Sequence, residues 1–215
     1  MAFLNTLEKL RNNETSHKMG LWKNKIGNEE FKQFSDALKN NTSLQELILW
    51  ENGIGPKECK YLSKALKNNT SLKELQIVNS NIGDEGCKYL FKSLKINTSL
   101  QKLCIDDNNI GLEGCKYLSK ILKTNTSLQE LTLNANYCRN DGCKYFSEGL
   151  QNNTSLQKLS LWNNKIENEG FNYLYEALQK NTSLKSLELG LNDIKYNKDF
   201  IKNTSLEYLG MIANF

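Results

Sequence analysis

The stretch Asn41-Thr42-Ser43-Leu44-Gln45-Glu46-Leu47-Ile48-Leu49-Trp50-Glu51-Asn52-Gly53-Ile54 decides how the rest of the chain is read, because the chain repeats it almost to its end. Its leading leucine recurs at Leu44, Leu72, Leu100, Leu128, Leu156 and Leu184, every 28 residues, and a last copy, Leu206, follows after only 22. A fixed period of this size marks a repeat architecture, in which one supersecondary unit covers its apolar edge with the next. The 215 residues are therefore expected to share one continuous core that grows with repeat number.

Within one unit, Glu46-Leu47-Ile48-Leu49-Trp50 alternates and predicts a short strand, with Leu47 and Leu49 inward and Glu46, Ile48 and Trp50 outward. Strands of successive units must then lie parallel. An asparagine follows at Asn24, Asn52, Asn108, Asn136, Asn164, Asn192 and Asn214, with Ser80 as the exception. An amide both donates and accepts, so a stacked column of them can satisfy the turn that leaves the sheet. The second half of the unit predicts a helix from Gly55-Pro56-Lys57-Glu58, with the only proline at the first helical position and Glu58, Asp84 and Glu85 at positive helix ends. Cys59, Leu62 and Leu66 share one face, as do Phe31, Phe34, Leu38 and Phe171, Leu174, Leu178. Asn68 and Asn69 are expected to stop the helix by accepting the left-handed conformation, with the following Thr-Ser hydroxyls holding the turn. The Asn-x-Ser/Thr triplets so formed are punctuation rather than glycosylation acceptors.

The ends depart from the period. Residues 3–12 align with the helix of a missing unit, Leu10 standing where Leu66 stands, so a capping helix is expected within 1–15. About seven strand-helix units follow from residue 16, and 206–215 is a terminal half-unit strand. The last helix shrinks to about Lys198-Asp199-Phe200-Ile201. Leu206, Leu209 and Met211 would lie in a strand with no further unit to cover it, an edge that favours a homo-oligomer. Strands stack about 4.8 Å apart while helices need about 8 to 10 Å, so the sheet must line the inside of a curve and the helices the outside.

Charge and hydropathy exclude several classes. The formal charge of +4 is mildly basic, and Lys60, Lys64, Lys67, Lys88, Lys92, Lys95, Lys116, Lys120 and Lys123 suit a solvated outer helix face. No aromatics are interleaved along a basic stripe, so a nucleic-acid partner is not expected. Mean hydropathy is −0.59, and no window approaches the roughly 18 to 20 apolar residues of a membrane span. Asn5 and Glu8 interrupt the apolar residues of Met1 to Arg11, which rules out a signal-peptide core, so a cytoplasmic protein without a membrane partner is expected. Cys59, Cys87, Cys115 and Cys143 recur every 28 residues, and Phe31 and Phe171 fill the same column. A position that takes Cys or Phe is a packing position. Equivalent cysteines on helices about 8 to 10 Å apart exceed the roughly 7 Å limit for a disulfide. Cys104 differs, lying in an outward strand column.

Catalytic chemistry finds no constellation. His17 is the single histidine, and no phosphate loop, nucleophile motif or metal-ligand spacing occurs, so neither an enzyme nor a cofactor or metal is expected. Asp106 and Asp107 are adjacent carboxylates at a strand end and should point apart. The informative positions are outward ones that the repeat leaves free. The first outward column runs Lys18, Glu46, Glu74, Lys102, Glu130, Lys158, Ser186, Tyr208, and the second Gly20, Ile48, Gln76, Cys104, Thr132, Ser160, Glu188, Gly210. The third runs Trp22, Trp50, Val78, Asp106, Asn134, Trp162, Gly190, Ile212 and holds all three tryptophans. Tryptophan is enriched at binding hot spots, whereas copying of Leu-Trp-x-Asn by duplication is the rival explanation. Trp22 and Trp50 should stand roughly 5 Å apart, with Trp162 roughly 19 Å further on. The candidate partner-binding set is Trp22, Trp50, Trp162, Glu46, Ile48, Glu74, Lys102, Asp106, Glu130 and Lys158.

The pattern L-x-x-L-x-L-x-x-N-x-I, followed by a helix opening such as Gly111-Leu112-Glu113-Gly114-Cys115-Lys116-Tyr117-Leu118, resembles the leucine-rich repeat. With its 28-residue unit it looks like the ribonuclease-inhibitor-like subfamily. The resemblance covers essentially the whole chain and implies an α/β horseshoe, with a parallel sheet on the concave face and helices on the convex one. It also implies a scaffold that grips a protein partner on that sheet. Two alternatives remain open. One is a GTPase-activating role like that of Ran GTPase activators, for which an acidic C-terminal tail would be expected where the sequence reads to Phe215. The other is the sensor part of a larger cytosolic receptor.

Overall fold

The computed structural model describes residues 2–24, 26–195 and 205–211. Helix α1 (Ala2–Arg11) precedes the strands β1 (Lys18–Trp22), β2 (Glu46–Trp50), β3 (Glu74–Val78), β4 (Lys102–Cys104), β5 (Glu130–Thr132), β6 (Lys158–Ser160), β7 (Ser186–Glu188) and β8 (Tyr208–Gly210). Helices α2 (Asn28–Asn40), α3 (Pro56–Leu66), α4 (Gly83–Leu94), α5 (Leu112–Leu122), α6 (Arg139–Leu150) and α7 (Asn168–Leu178) connect β1 through β7. The short helix expected near Lys198 to Ile201 lies outside the described residues. The strands form one parallel sheet in chain order. The sequence period is also its register, with Leu47 opposite Leu75 and Leu131 opposite Leu159. The fold is an α/β solenoid arc, sheet inside and helices outside.

Its core is a single cluster built from the repeated columns. Leu44, Leu47, Leu49 and Ile54 are buried, as are their equivalents along the arc. Cys59, Cys87, Cys115 and Cys143 are buried with Phe31 and Phe171, and all six cysteines are free thiols. Burial raises the Cys59, Cys87, Cys138 and Cys143 thiols above the ordinary range. At the first edge, α1 buries Leu7 and Leu10 against the core, the covering role its alignment implied. At the other end Leu206, Leu209 and Met211 are half-buried against it. Close helix spacing depends on glycine: a Cβ at Gly114 would stand 2.5 Å from Ile110 Cγ2 and 2.9 Å from Asp84 Oδ1.

Two ladders of buried amides tie the units together. The expected one follows the strands. Asn108 Nδ2 donates to Ile77 O at 2.6 Å and to Asp106 O, while its Oδ1 accepts from Ser80 N at 3.1 Å. Asn136, Asn164 and Asn192 do the same in later units. The other ladder corrects the sequence reading of the helix stop. Neither Asn68 nor Asn69 adopts a left-handed conformation. Instead Asn69 is buried, its Nδ2 donates back to Leu38 O at 2.8 Å, and its Oδ1 accepts from Ser71 N and Leu72 N. Asn41, Asn97, Asn125, Asn153 and Asn181 repeat the arrangement. These amides satisfy carbonyls that the preceding helix leaves open, which is why they recur.

The left-handed residues fall elsewhere. Lys23, Glu51, Asn79, Asp107, Ala135, Asn163 and Leu191 all have φ between 49° and 53°, one position after the third outward column. The chain thus turns sharply as soon as each third-column side chain has been presented.

Candidate protein-interaction face

The inward leucines fix the strands, and alternation leaves three columns of side chains on the concave sheet. At its N-terminal end the third column is aromatic. Trp22 and Trp50 face each other across β1 and β2 with ring centroids 6.3 Å apart and planes inclined by 35°. They are 60% and 43% exposed, which is unusual enough for tryptophan to require a purpose. A Lys23–Glu51 ion pair at 3.2 Å flanks them, and the four residues line a recess of about 310 Å³. Glu51 escaped the sequence reading because it lies just past the alternating strand.

Ile48 is only 6% exposed, so it is corrected from an outward contact to a covered residue. The cause is local. Trp22 leans back along its strand, placing Cε2 3.4 Å from where a Cβ on Gly20 would be, and Gly20 is Ile48's neighbour in register. The Trp22 ring thereby lies over Gly20 in the second column, and Ile48 beside it is covered and not presented to a partner.

In the middle of the sheet, Glu74, Gln76, Lys102, Cys104, Asp106, Glu130 and Thr132 surround a shallow recess of about 280 Å³. Charges on the face are matched between neighbouring strands, within the first column or from the first to the second. Lys102 pairs with Glu130 at 2.8 Å, as Lys18 pairs with Glu46 at 2.6 Å and Lys158 with Glu188 at 2.7 Å. The bond it donates to Glu130 holds the Lys102 ammonium above its ordinary pKa. Exposed pairs of this kind are worth little to stability, but they leave the face with little net charge to repel a folded partner. Cys104 is half-buried, and its thiol is pushed up to about 11 by burial and by Asp106. It is therefore a weak nucleophile at neutral pH.

Toward the C-terminal end the third column becomes a hydrogen-bond network. Asp106 accepts from Asn134 N at 2.9 Å and from Asn134 Nδ2 at 3.0 Å. Asn134 Oδ1 in turn accepts from Trp162 N at 3.0 Å and from the buried Ser160 hydroxyl at 2.6 Å. Ser160 also contacts Glu188, whose carboxyl burial pushes up, but bonds from Lys158 and Ser160 hold it below its usual value. Trp162 is 36% exposed beside this network. Asp106 and Asp107 serve no shared site, since one carboxylate holds Asn134 and the other residue is left-handed. The candidate residues thus gather in three places, with Trp22 and Trp50 at one end, Glu74, Lys102, Asp106 and Glu130 in the middle, and Lys158 and Trp162 beyond. Glu46, opposite Glu74 in register, is held by Lys18.

One further surface was missed. On the rim where strands turn into helices, Leu112 and Tyr137 are 40% and 42% exposed beside Arg139 and Asp141, and Lys165 lies over the Tyr137 ring at 4.9 Å. The signal was available, because both apolar residues interrupt columns that are polar in most other units, with Asp84 and Asn140 matching Leu112, and Asn109 and Lys165 matching Tyr137.

A family model described as Leucine Rich repeat matches residues 68–91, 97–119, 152–171 and 180–197. A solved structure of the tropomodulin C-terminal domain from Caenorhabditis elegans aligns with a TM-score of 0.55 at 15% identity, covering 84% of this chain and 93% of that one. The structure titled Leiomodin-1 Actin-Binding Site 2 aligns with a TM-score of 0.49 at 21% identity, over 74% of this chain and 78% of that one. A search of curated proteins finds no match. At 15% identity the tropomodulin likeness is one of fold, and with the four matched repeat segments it agrees with an α/β solenoid arc of leucine-rich-repeat type.

Proposed function

We propose that this solenoid is a protein-interaction module of the ribonuclease-inhibitor-like type, a single domain acting in the cytoplasm, that holds a folded protein partner against its concave sheet. The observation that supports this most strongly is the exposed Trp22–Trp50 pair at one end of the sheet, with Trp162 four strands beyond Trp50. Aromatic anchors in a recess, rimmed by polar side chains already satisfied among themselves, are the composition of an interface hot spot. The mixed and mutually paired charges between the anchors favour a protein over a uniformly charged polymer. The work of the face is binding, because its acids and bases are engaged in holding one another and Cys104 is a poor nucleophile.

Capture from cytosol with the wild-type chain and with Trp50→Ala as parallel baits tests this. A partner retained by the first should bind the second more weakly by about 2 kcal/mol or more. Equal affinity for both baits, and for Trp22→Ala and Trp162→Ala, together with loss on Lys64→Glu at the helical face, would place the interface on the other side of the molecule.

A further inference from the structure

The convex face carries a bounded block of positive charge that the repeat does not require. Lys60, Lys64 and Lys67 lie along α3 and its C-cap, Lys88, Lys92 and Lys95 along α4, and Lys116, Lys120 and Lys123 along α5. Spacings of four and three put each set on one helix face, so the nine form a grid. It measures roughly 10 Å along the helices and 16 to 20 Å across them. The same columns read Lys32, Asp36, Lys39 on α2, Lys144, Glu148, Gln151 on α6 and Asn172, Glu176, Gln179 on α7. The grid therefore stops on both sides at a carboxylate. Taking its nine charges from the formal +4 leaves the remainder of the chain at −5.

Helix dipoles do not account for it. Lysine in a last turn does complement the negative helix end, yet α6 and α7 have no basic residue there. Internal pairing accounts for part only. Lys88 meets Glu85 at 3.1 Å, Lys116 meets Glu113 at 3.4 Å, and Lys123 meets Glu148 at 3.5 Å. Lys60 and Lys120 lie over the Tyr89 and Tyr117 rings. Lys64, Lys67, Lys92 and Lys95 are exposed and form no salt bridge among the described residues. Beside them, Ile96 is 59% exposed where neighbouring units carry Asn68 and Thr124.

We propose that this face docks the chain peripherally on an anionic bilayer, the lysines over acidic headgroups and Ile96 at the acyl boundary. A two-dimensional grid matches a sheet of charge better than the single line of phosphates along a strand. An exposed aliphatic within a basic patch is the mark of interfacial attachment. Bases would need open ring faces to stack on, whereas Tyr89 and Tyr117 are half-buried under lysine ammonium groups. No helix among the described residues is long and apolar enough to cross a membrane, so the contact is with the surface.

The test is sedimentation with vesicles of phosphatidylserine and phosphatidylcholine in equal parts, and with phosphatidylcholine alone. The wild-type chain should bind only the first, and binding should fall with added salt. The triple variant Lys64→Glu, Lys92→Glu, Lys120→Glu installs the residue that α6 and α7 already carry in that column, so it should fold with unchanged circular dichroism. It should bind at least about thirtyfold more weakly. Ile96→Asn should weaken binding about threefold or more at equal charge, and Trp50→Ala should leave it unchanged. The proposal fails if the wild-type chain ignores anionic vesicles or the folded triple variant binds like wild type. It also fails if a single-stranded oligonucleotide outcompetes the vesicles for the same lysines.

Discussion

The two ends of the concave sheet are made from the same repeat and behave differently. Strands β1 to β3 run five residues and end on Trp22, Trp50 and Val78, whereas β4 to β7 run three and stop before Asp106, Asn134, Trp162 and Gly190. The third column also differs between the two ends. Where it holds Asp106 and Asn134, their side chains take the amide protons of Asn134 and Trp162. Where it holds Trp22 and Trp50 there is no side-chain acceptor, and the rings are left on the surface as a pair.

Substitutions can break that comparison, and the largest effect should ignore it. Leu47→Ala at the aromatic end and Leu131→Ala at the polar end each remove a fully buried side chain and should each cost about 2 to 5 kcal/mol in denaturant titration. A loss confined to one end would mean that the core is not continuous. Asn134→Ala removes the acceptor of Trp162 N and Ser160, and because the site is half open to water it should cost about 1 kcal/mol. Trp50→Ala should alter stability by about 0.5 kcal/mol or less, since its side chain lies outside the core. If it unfolds the chain, the indoles are structural.

Thiol chemistry sharpens the contrast between core and face. The buried thiols hold their protons more tightly folded than unfolded, so their contribution is complete below the ordinary thiol pKa of about 8.5 and is lost as pH rises toward the folded values. The melting temperature should therefore fall above about pH 8.5. Cys104, on the face, should label first in the native chain, with a rate rising about tenfold per pH unit until about pH 11. Fast labelling of Cys59, Cys87, Cys115 and Cys143 at neutral pH would contradict their packing role.

What was legible in the sequence is what the period dictates. Leu44 and its copies gave the units, the Leu47 and Leu49 alternation gave the inward face, and the Cys59/Phe31 column gave the helix packing. Asn108 was legible too, because a column of amides beside strands has one economical use. What escaped depends on groups brought together from different units. Asn69 reads as a left-handed stop, since nothing local shows its amide reaching a carbonyl 31 residues back. Ile48 alternates outward like any strand residue, and its burial beside the leaning Trp22 ring shows only in the folded chain. The lysines of α3 to α5 look like ordinary solvated residues until the helices are laid side by side. The Asp106–Asn134–Trp162 network could not be foreseen, because a carboxylate taking an amide from the next unit leaves no mark on its own.

The most direct test of the concave interface uses the chain's own probes. Its three tryptophans all stand in the third column, so intrinsic emission reports that face. Saturation with the captured partner, its own emission subtracted, should shift the tryptophan emission to shorter wavelength as the indoles leave water. Anionic vesicles, held on the opposite face, should leave it unmoved. Saturating partner binding with no change in tryptophan emission would contradict the account.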